Sequence, residues 1–440
     1  MKKPNLKDLT LKNIWQIFLV VTLPIICVTG VSPIPYSIRL PLIYATGILF
    51  LVVFVFCDIK IKLNTVTVTS FILISYIGIS IIYSYDQQAT IQLFLLYACS
   101  FTLIFIDMPK SYFLKILSIF YVICVVIAFS IIISVFVQNC MLKYFWFIVN
   151  PTHSAEISRL IGKELAIGAY SGFAREKAEA AYIMNVGIAI LFAKYFSDGK
   201  LAKKDLFMLL IFLVALMLTG KRTLFVIVIA AFAVFMLLSN LKGKTFKTMS
   251  VIIIAICALF VIMMFIPKVA TIFERFMDQE NVESMGDREP LWKYMTMMIS
   301  EFPIFGAGMG SYNQYAYDHG LRVGNKKWSY NGHNSYMQIF SELGIVGSII
   351  FLLFVIAALV YTVNSIKKFR NDRNDKYMSY FSLYIQIMMI IYSLTGNPVY
   401  TRQILFLWMF SIGMVMYLNR ASESSMDTNR KILNTEEHII

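Results

Sequence analysis

Apolar residues in this chain of 440 fall into long, nearly uninterrupted runs separated by short polar breaks. A run of about 18 or more such residues is long enough to cross a hydrocarbon core as a helix. The pattern predicts twelve spans, at 14–34, 40–57, 66–84, 89–106, 112–137, 179–196, 204–219, 223–240, 248–267, 336–363, 377–396 and 403–418. The fold class expected is therefore an all-α polytopic membrane protein. Residues 1–267 carry the first nine helices, with a long loop at 138–178. Residues 268–335 form a second, larger loop, 336–418 the last three helices, and 419–440 a polar, flexible tail.

Inside the larger loop, "DREPLWKYMTMMISEFP" (287–303) places Leu291, Tyr294, Met295 and Met298 at helical spacing. Asp287 can cap that helix, Pro290 suits its first turn, and Pro303 ends it. An amphipathic helix along the membrane surface is expected, followed by a glycine-rich turn, "FGAGMGSYN" (305–313). Loops of this length are usually functional or disordered, and the aromatic content opposes disorder.

Composition agrees with the spans: 59% of residues are hydrophobic, only 15% are charged, and mean hydropathy is +0.72. The net charge of +14 is informative through its placement. Lys2, Lys3, Lys7 and Lys12 precede the first span, and Lys60 and Lys62 follow the second. Lys200, Lys203 and Lys204, then Lys242, Lys244 and Lys247, then "KKFRNDRNDK" (367–376) mark further loops of the same side. Positive residues collect on the cytoplasmic side, so both termini are expected there and the two long loops outside. The charge is an orientation signal with some attraction to anionic lipid heads. No basic patch is interleaved with aromatics, which leaves nucleic acid out as a partner. The six cysteines show no paired spacing, so neither a disulfide framework nor a metal site is implied. The basic N-terminus leads into an apolar stretch with no small-residue cleavage site, as in an uncleaved first span.

Against that orientation signal stand Lys221 and Arg222 in "LTGKRTLF" (218–225), at a short outward-facing turn. They can snorkel to lipid phosphates, or hold an anion at the mouth of the bundle, for which the planar guanidinium fork is suited. Arg288 lies between Asp287 and Glu289, as a surface ion pair or a second anion contact. His333, one of four histidines, directly precedes the span at 336, where Asn334 or Ser335 can cap the helix. An imidazole at that border titrates near neutrality and can act as a general base. Arg175 in "YSGFAREKAEAAYIMN" (170–185) and Arg402 in "GNPVYTRQ" (396–403) are further external cations, equally readable as interface anchors. Tyr312, Tyr315, Tyr317, Trp328 and Tyr330 crowd the same loop, where rings stack on sugars or anchor in the interface.

"GHNSYMQIFSELGIVG" (332–347) resembles the histidine-containing signature of the O-antigen ligase and polymerase superfamily. The spacing is similar too: an arginine after "LTGK", a large loop, then "HN" leading into Glu342-Leu343-Gly344. Lys221 beside Arg222 departs from the single arginine expected there. The resemblance implies a fold similar to lipid-dependent (GT-C-like) glycosyltransferases. It also implies transfer of a glycan from undecaprenyl diphosphate to an acceptor sugar hydroxyl, with no metal or nucleotide cofactor. By resemblance the catalytic residues are His333, Arg222 and Arg288, while Lys221, Arg175 and Arg402 are candidates for substrate binding.

The activity so implied is that of a polysaccharide polymerase. It would join undecaprenyl-diphosphate-linked repeat units of O-antigen, capsule or exopolysaccharide at the outer face of the bacterial cytoplasmic membrane, inverting the anomeric centre. Its partners would be the lipid-linked donor, an acceptor glycan, the bilayer and a chain-length regulator. The alternative is an O-antigen ligase delivering the finished chain to lipid A-core. A twelve-span secondary transporter is the reading from a different class, opposed by the missing internal repeat and the large loop.

The topology has a direct test. Cysteines introduced at positions 160 and 320 are expected to react with an impermeant reagent applied to the outer face of intact cytoplasmic membranes, and one at 372 to stay unlabelled. Labelling at 372 from outside would reverse the orientation.

Overall fold

The computed structural model describes residues 11–28, 36–57, 61–137, 140–150, 155–166, 168–239, 288–321 and 332–437. Within them the regular structure is helical: α1 (Leu11–Cys27), α2 (Tyr36–Phe56), α3 (Thr65–Tyr83), α4 (Gln87–Phe101) and α5 (Lys110–Phe136) come first. Three short helices, α6 (Cys140–Tyr144), α7 (Trp146–Val149) and α8 (Ala155–Ala166), lie in the first long loop. Then come α9 (Lys177–Asp198), α10 (Lys203–Leu218) and α11 (Arg222–Leu238). The second loop contributes α12 (Glu289–Glu301) and α13 (Tyr312–Asp318), before α14 (Ser335–Lys368), α15 (Arg373–Tyr392) and α16 (Arg402–Glu437).

A helix stands at every predicted span except 248–267, which lies outside the described residues. Among the described residues six helices are long and apolar enough to cross a membrane: Thr65–Tyr83, Gln87–Phe105, Lys110–Phe136, Lys177–Asp198, Ser335–Lys368 and Arg402–Glu423. Leu11–Cys27, Leu40–Phe56 and Arg222–Leu238 are shorter apolar helices. The fold is that of a polytopic membrane protein. Helix α16 continues to Glu437, through the segment whose polar composition predicts a flexible tail.

Local chemistry sets the helix ends. Asn64 and Asp86 accept from the backbone N–H of Thr67 and Ala89 at the starts of α3 and α4, and Asp372 accepts from that of Asp375 in α15. Gly199, left-handed at φ 70°, closes α9. From Ala180 to Phe196 nearly every side chain of α9 is buried, as expected for a helix that is apolar all round. It packs against α15, α10, α5 and α11, while α14 lies on α3 and α15.

The connections sort to two ends of the bundle. At one, Lys110 pairs with Asp375, Lys194 with Asp205, Arg373 with Asp198 and Lys62 with Glu423. These are turns that the charge pattern assigns to the cytoplasm. The other end gathers the turns at 84–86, 168–175, 219–221, 303–311, 332–334 and 393–401, through contacts such as Tyr170 N–H to Leu218 C=O (3.0 Å) and Ser335 N–H to Ser393 C=O (2.8 Å).

Helix α14 is not the single continuous span predicted from its apolar run. Gly344 breaks it at φ 63°, ψ −171°, a conformation essentially confined to glycine. Across the break, the carbonyls of Ser341 and Glu342 accept from Ala307 (3.4 Å) and Gly308 (2.8 Å) of the glycine-rich turn. The N–H groups of Ile345 and Val346 donate to the carbonyls of Pro303 (3.0 Å) and Ile304 (3.2 Å). Tyr76 of α3 adds its hydroxyl to the carbonyls of Leu343 (3.0 Å) and Phe305 (3.2 Å).

Helix α12 buries Leu291, Met295 and Met298, three of the four apolar positions expected, and Tyr294 packs at their edge. Its start differs from the expectation. The first helical residue is Glu289, Arg288 occupies the N-cap without a side-chain cap, and Asp287 lies outside the described residues.

A Cβ at position 344 would sit 2.3 Å from the Ile304 carbonyl oxygen. Gly344→Ala is therefore expected to cost about 1–3 kcal/mol in backbone strain and a similar amount in overpacking. Gly162 in α8 meets nothing within 4 Å, so Gly162→Ala is expected to leave stability unchanged or raise it by about 1 kcal/mol. Thermal unfolding in detergent compares the two; an unshifted Gly344→Ala would mean that the break is not built into the fold.

Candidate active site

The N-terminus of α14 is held from several directions, and His333 sits at its centre. Asn334 caps the helix, its side-chain oxygen accepting from Tyr336 N–H and Met337 N–H (both 3.1 Å). Gly332 is pinned at both polar groups: its N–H donates to Gln338 Oε1 (3.2 Å), and its carbonyl accepts from Trp292 Nε1 of α12 (3.1 Å). Ser335 donates through its N–H to Ser393 C=O and through Oγ to Gly396 C=O (3.0 Å). Between these anchors the His333 backbone is left-handed at φ 53°, the single non-glycine residue in that region among the described residues. Histidine tolerates this region better than most residues, but holding it there still requires support from its surroundings.

His333 stays accessible at the surface. Desolvation by the surrounding protein pushes its pKa below the usual histidine value of 6.5, and the positive charges of Arg288 and Lys221 push it further down. The structure thus places Arg288 and Lys221, 45 and 112 residues away in sequence, within electrostatic reach of His333. The imidazole is neutral near pH 7, the form that can accept a proton. Tyr392, at the end of α15, is within electrostatic reach of Arg288 and also of Glu176 and Glu179 at the start of α9.

Arg222 is the first residue of α11 and is exposed. Gly220, left-handed at φ 69°, makes the tight turn that places it there. Two contacts fix the helix start: Thr223 Oγ1 meets Thr395 Oγ1 (3.0 Å), and the Leu224 carbonyl accepts from buried Asn185 of α9 (3.1 Å). The turn at 393–397 thereby touches both the Arg222 helix and the His333 turn. Arg175 is exposed in the turn ahead of α9, and Arg402 opens α16. There Gln403 donates to Glu179 (3.2 Å), so these two cations stand at the same end of the bundle.

Two expectations about the loop change. Tyr312 and Tyr315 are fully buried, packed with Met295 and Met298 in a small core, and Tyr312 donates to the Leu291 carbonyl (3.0 Å). They hold the loop together and do not offer faces to a sugar. Trp328 and Tyr330 lie outside the described residues. The residue that spacing left without a role is Glu342, fully buried and met by Gly310 N–H, Tyr312 N–H, Gln338 and Tyr400. Its signal was present in the sequence as a lone acid in a membrane-grade run, where an ionisable side chain is costly without dedicated partners. Among the described residues no group of three or more His, Cys, Asp or Glu side chains is placed to hold a metal ion.

A neutral imidazole exposed at the start of an apolar helix, within the electrostatic influence of two cations, is suited to accepting a proton. No curated protein matches the chain. Residues 207–352, which include Lys221, Arg222, Arg288 and His333, match the family model for O-Antigen ligase.

Proposed function

We propose that the chain is a bacterial cell-surface polysaccharide polymerase joining undecaprenyl-diphosphate-linked repeat units at the outer face of the cytoplasmic membrane. In this reading it crosses the membrane twelve times with both termini inside, in a GT-C-like arrangement. The observation that carries it is the exposed His333 imidazole, kept neutral by desolvation and within electrostatic reach of Arg288 and Lys221, in a segment matching the ligase family.

The acceptor hydroxyl gives its proton to His333 while its oxygen bonds to the anomeric carbon of the donor. The bond from that carbon to the diphosphate oxygen breaks with its electron pair, inverting the centre and releasing undecaprenyl diphosphate. The leaving group needs no strong general acid. Negative charge grows on the diphosphate as the bond breaks, and preorganised Arg222 and Arg288 stabilise that charge more than the ground state. Lys221, Arg175 and Arg402 contribute attraction for the lipid-linked donor. The second reading, a ligase acting on lipid A-core, uses the same donor residues. Polymerase is preferred because it serves O-antigen, capsule and exopolysaccharide systems alike. Glycan size in a deletion strain separates them: single repeat units on the acceptor mean polymerase, and full-length chains left on undecaprenyl diphosphate mean ligase.

Removing a positioned general base typically costs about 10²- to 10⁴-fold. Purified His333→Ala is expected to lose turnover of an undecaprenyl-diphosphate glycan on that scale. His319→Ala is the control, because that ring stacks on Tyr315 at 4.0 Å and lies outside the motif. Wild-type turnover in His333→Ala would reduce the histidine to a helix-end residue. Arg222→Lys keeps the charge and loses the bidentate fork, so it should fall well below wild type; normal polymer from both Arg222→Lys and Arg222→Ala would leave snorkelling as the account of Arg222.

The pH profile carries a sign. Activity requires the unprotonated imidazole, so kcat/KM falls as pH drops through a value below 6.5. Lys221→Gln removes a positive charge that opposes protonation of His333. It should move the acid limb toward higher pH, and a limb that stays in place or moves down would separate Lys221 from the base.

A further inference from the structure

We infer that Glu342 is a positioning residue for His333, acting through Gln338 to hold the turn from which the imidazole projects. This rests on the reading of His333 as the general base, and it adds to that reading the buried group on which the geometry of the base depends.

Glu342 lies nine residues beyond His333, about two and a half turns along α14. Its two oxygens have different duties. Oε2 accepts from Gly310 N–H and from the Tyr400 hydroxyl (both 2.7 Å), tying the glycine-rich turn and the segment before α16 to α14. Oε1 accepts from Gln338 Nε2 (3.0 Å) and, at longer range, from Tyr312 N–H (3.3 Å). Gln338 is itself buried, one turn nearer to His333.

The contact to Oε1 decides which way the Gln338 amide faces. With its NH₂ donating to Glu342, its oxygen must point the other way, where it accepts from Gly332 N–H (3.2 Å) and Asn397 Nδ2 (2.5 Å). A flipped amide would set NH₂ against two donors and its oxygen against an acceptor. In a buried site each such mismatch leaves polar groups unsatisfied. The carboxyl thus fixes the amide, and the amide fixes the residue directly before the base. Gly332 has its other polar group on Trp292, and the next residue is the one with the left-handed backbone. Loosening Gly332 releases the restraint that keeps His333 in that conformation, and misplacement of a reacting group by about 1 Å can cost about 10²-fold.

The test uses full-length enzyme in detergent or nanodiscs with an undecaprenyl-diphosphate glycan, and reads kcat and donor KM separately with thermal unfolding alongside. Glu342→Gln puts an NH₂ where only acceptors fit. Gln338→Met keeps the bulk and removes both arms, and it decides the matter if Glu342→Gln does not fold. In each, kcat is expected to fall by about 10- to 100-fold with donor KM little changed, because the cations that bind the diphosphate are untouched. Gln338→Glu alone should also lose kcat, since it sets two carboxyls against each other.

The exchange Glu342→Gln with Gln338→Glu reverses the central hydrogen bond. It leaves acceptors facing Gly332, Asn397, Gly310 and Tyr400, at the loss of the long Tyr312 contact alone. It should recover most of the lost kcat. Folded single variants with wild-type kcat, or an exchange no better than the worse single variant, would overturn the inference while leaving an inactive His333→Ala, and with it the general-base reading, intact. His333→Ala at wild-type turnover would instead remove that reading, and this inference with it.

Discussion

Four backbone hydrogen bonds at the Gly344 break connect the large loop to the bundle. In an unbroken helix the N–H groups of Ile345 and Val346 would pair with the carbonyls of Ser341 and Glu342. Here those four groups turn instead to Pro303, Ile304, Ala307 and Gly308 of the loop. Two helical bonds are exchanged for four to another segment, so no polar group is abandoned where water is scarce. The exchange needs two backbones in contact, and both sides supply a glycine. A Cβ on Gly306 would fall 2.3 Å from the Glu342 carbonyl oxygen, and one on Gly344 the same distance from that of Ile304. The turns that carry the site are placed relative to this junction.

From it the site follows in steps. The loop segment 303–311 fixes where α12 ends, and α12 supplies Arg288 at its start and Trp292 to the Gly332 carbonyl. On the other flank, the turn at 393–397 takes Ser335 from α14 and Thr395 meets Thr223 beside Arg222. Helices far apart in sequence thus bring their ends together at one end of the bundle. Desolvation and, after it, the positive charges of Arg288 and Lys221 disfavour the protonated form of His333, so charges of one sign are held within reach of one another there. On the proposed reaction that repulsion is useful twice. It keeps the imidazole basic-side free of a proton, and an arriving diphosphate relieves it, so the field is in place before charge develops on the leaving group.

The long-range order of the chain was legible because hydrocarbon thickness dictates it: runs of sufficient length and a consistent side for lysine and arginine place helices at eleven of the twelve expected positions. Local signals worked where the chemistry is local, as with Asn334 as cap and Pro290 in the first turn of α12. The histidine and the cations could be picked out because charge is rare and conspicuous in such a sequence. What failed to show was everything set by partners distant in the chain. Gly344 inside an apolar run looks like any tolerated glycine of a membrane helix, because its partner Gly306 is 38 residues away. Tyr312 and Tyr315 look like interface aromatics, and only their packing under α12 makes them core. Glu342 is a lone acid in an apolar run, but its four donors come from three separate segments that no spacing rule connects.

The break also accounts for a histidine at the border of a membrane-grade run. A residue on the end of a continuous transmembrane helix takes its depth from the whole helix, and such helices tilt and shift to match the bilayer at modest cost. The segment 335–343 is instead uncoupled from the apolar run beyond Gly344 at the level of its hydrogen bonds, and coupled to the loop through Glu342, Gln338 and the Gly306 junction. Its position is therefore referred to the cations of the same end of the bundle. For a reaction between a lipid-anchored donor and an acceptor arriving from water, the distance that matters is that from base to diphosphate-binding charge, and the depth of either in the bilayer is secondary. A helix broken about three turns past the base is a means of fixing the first while leaving the second free to vary.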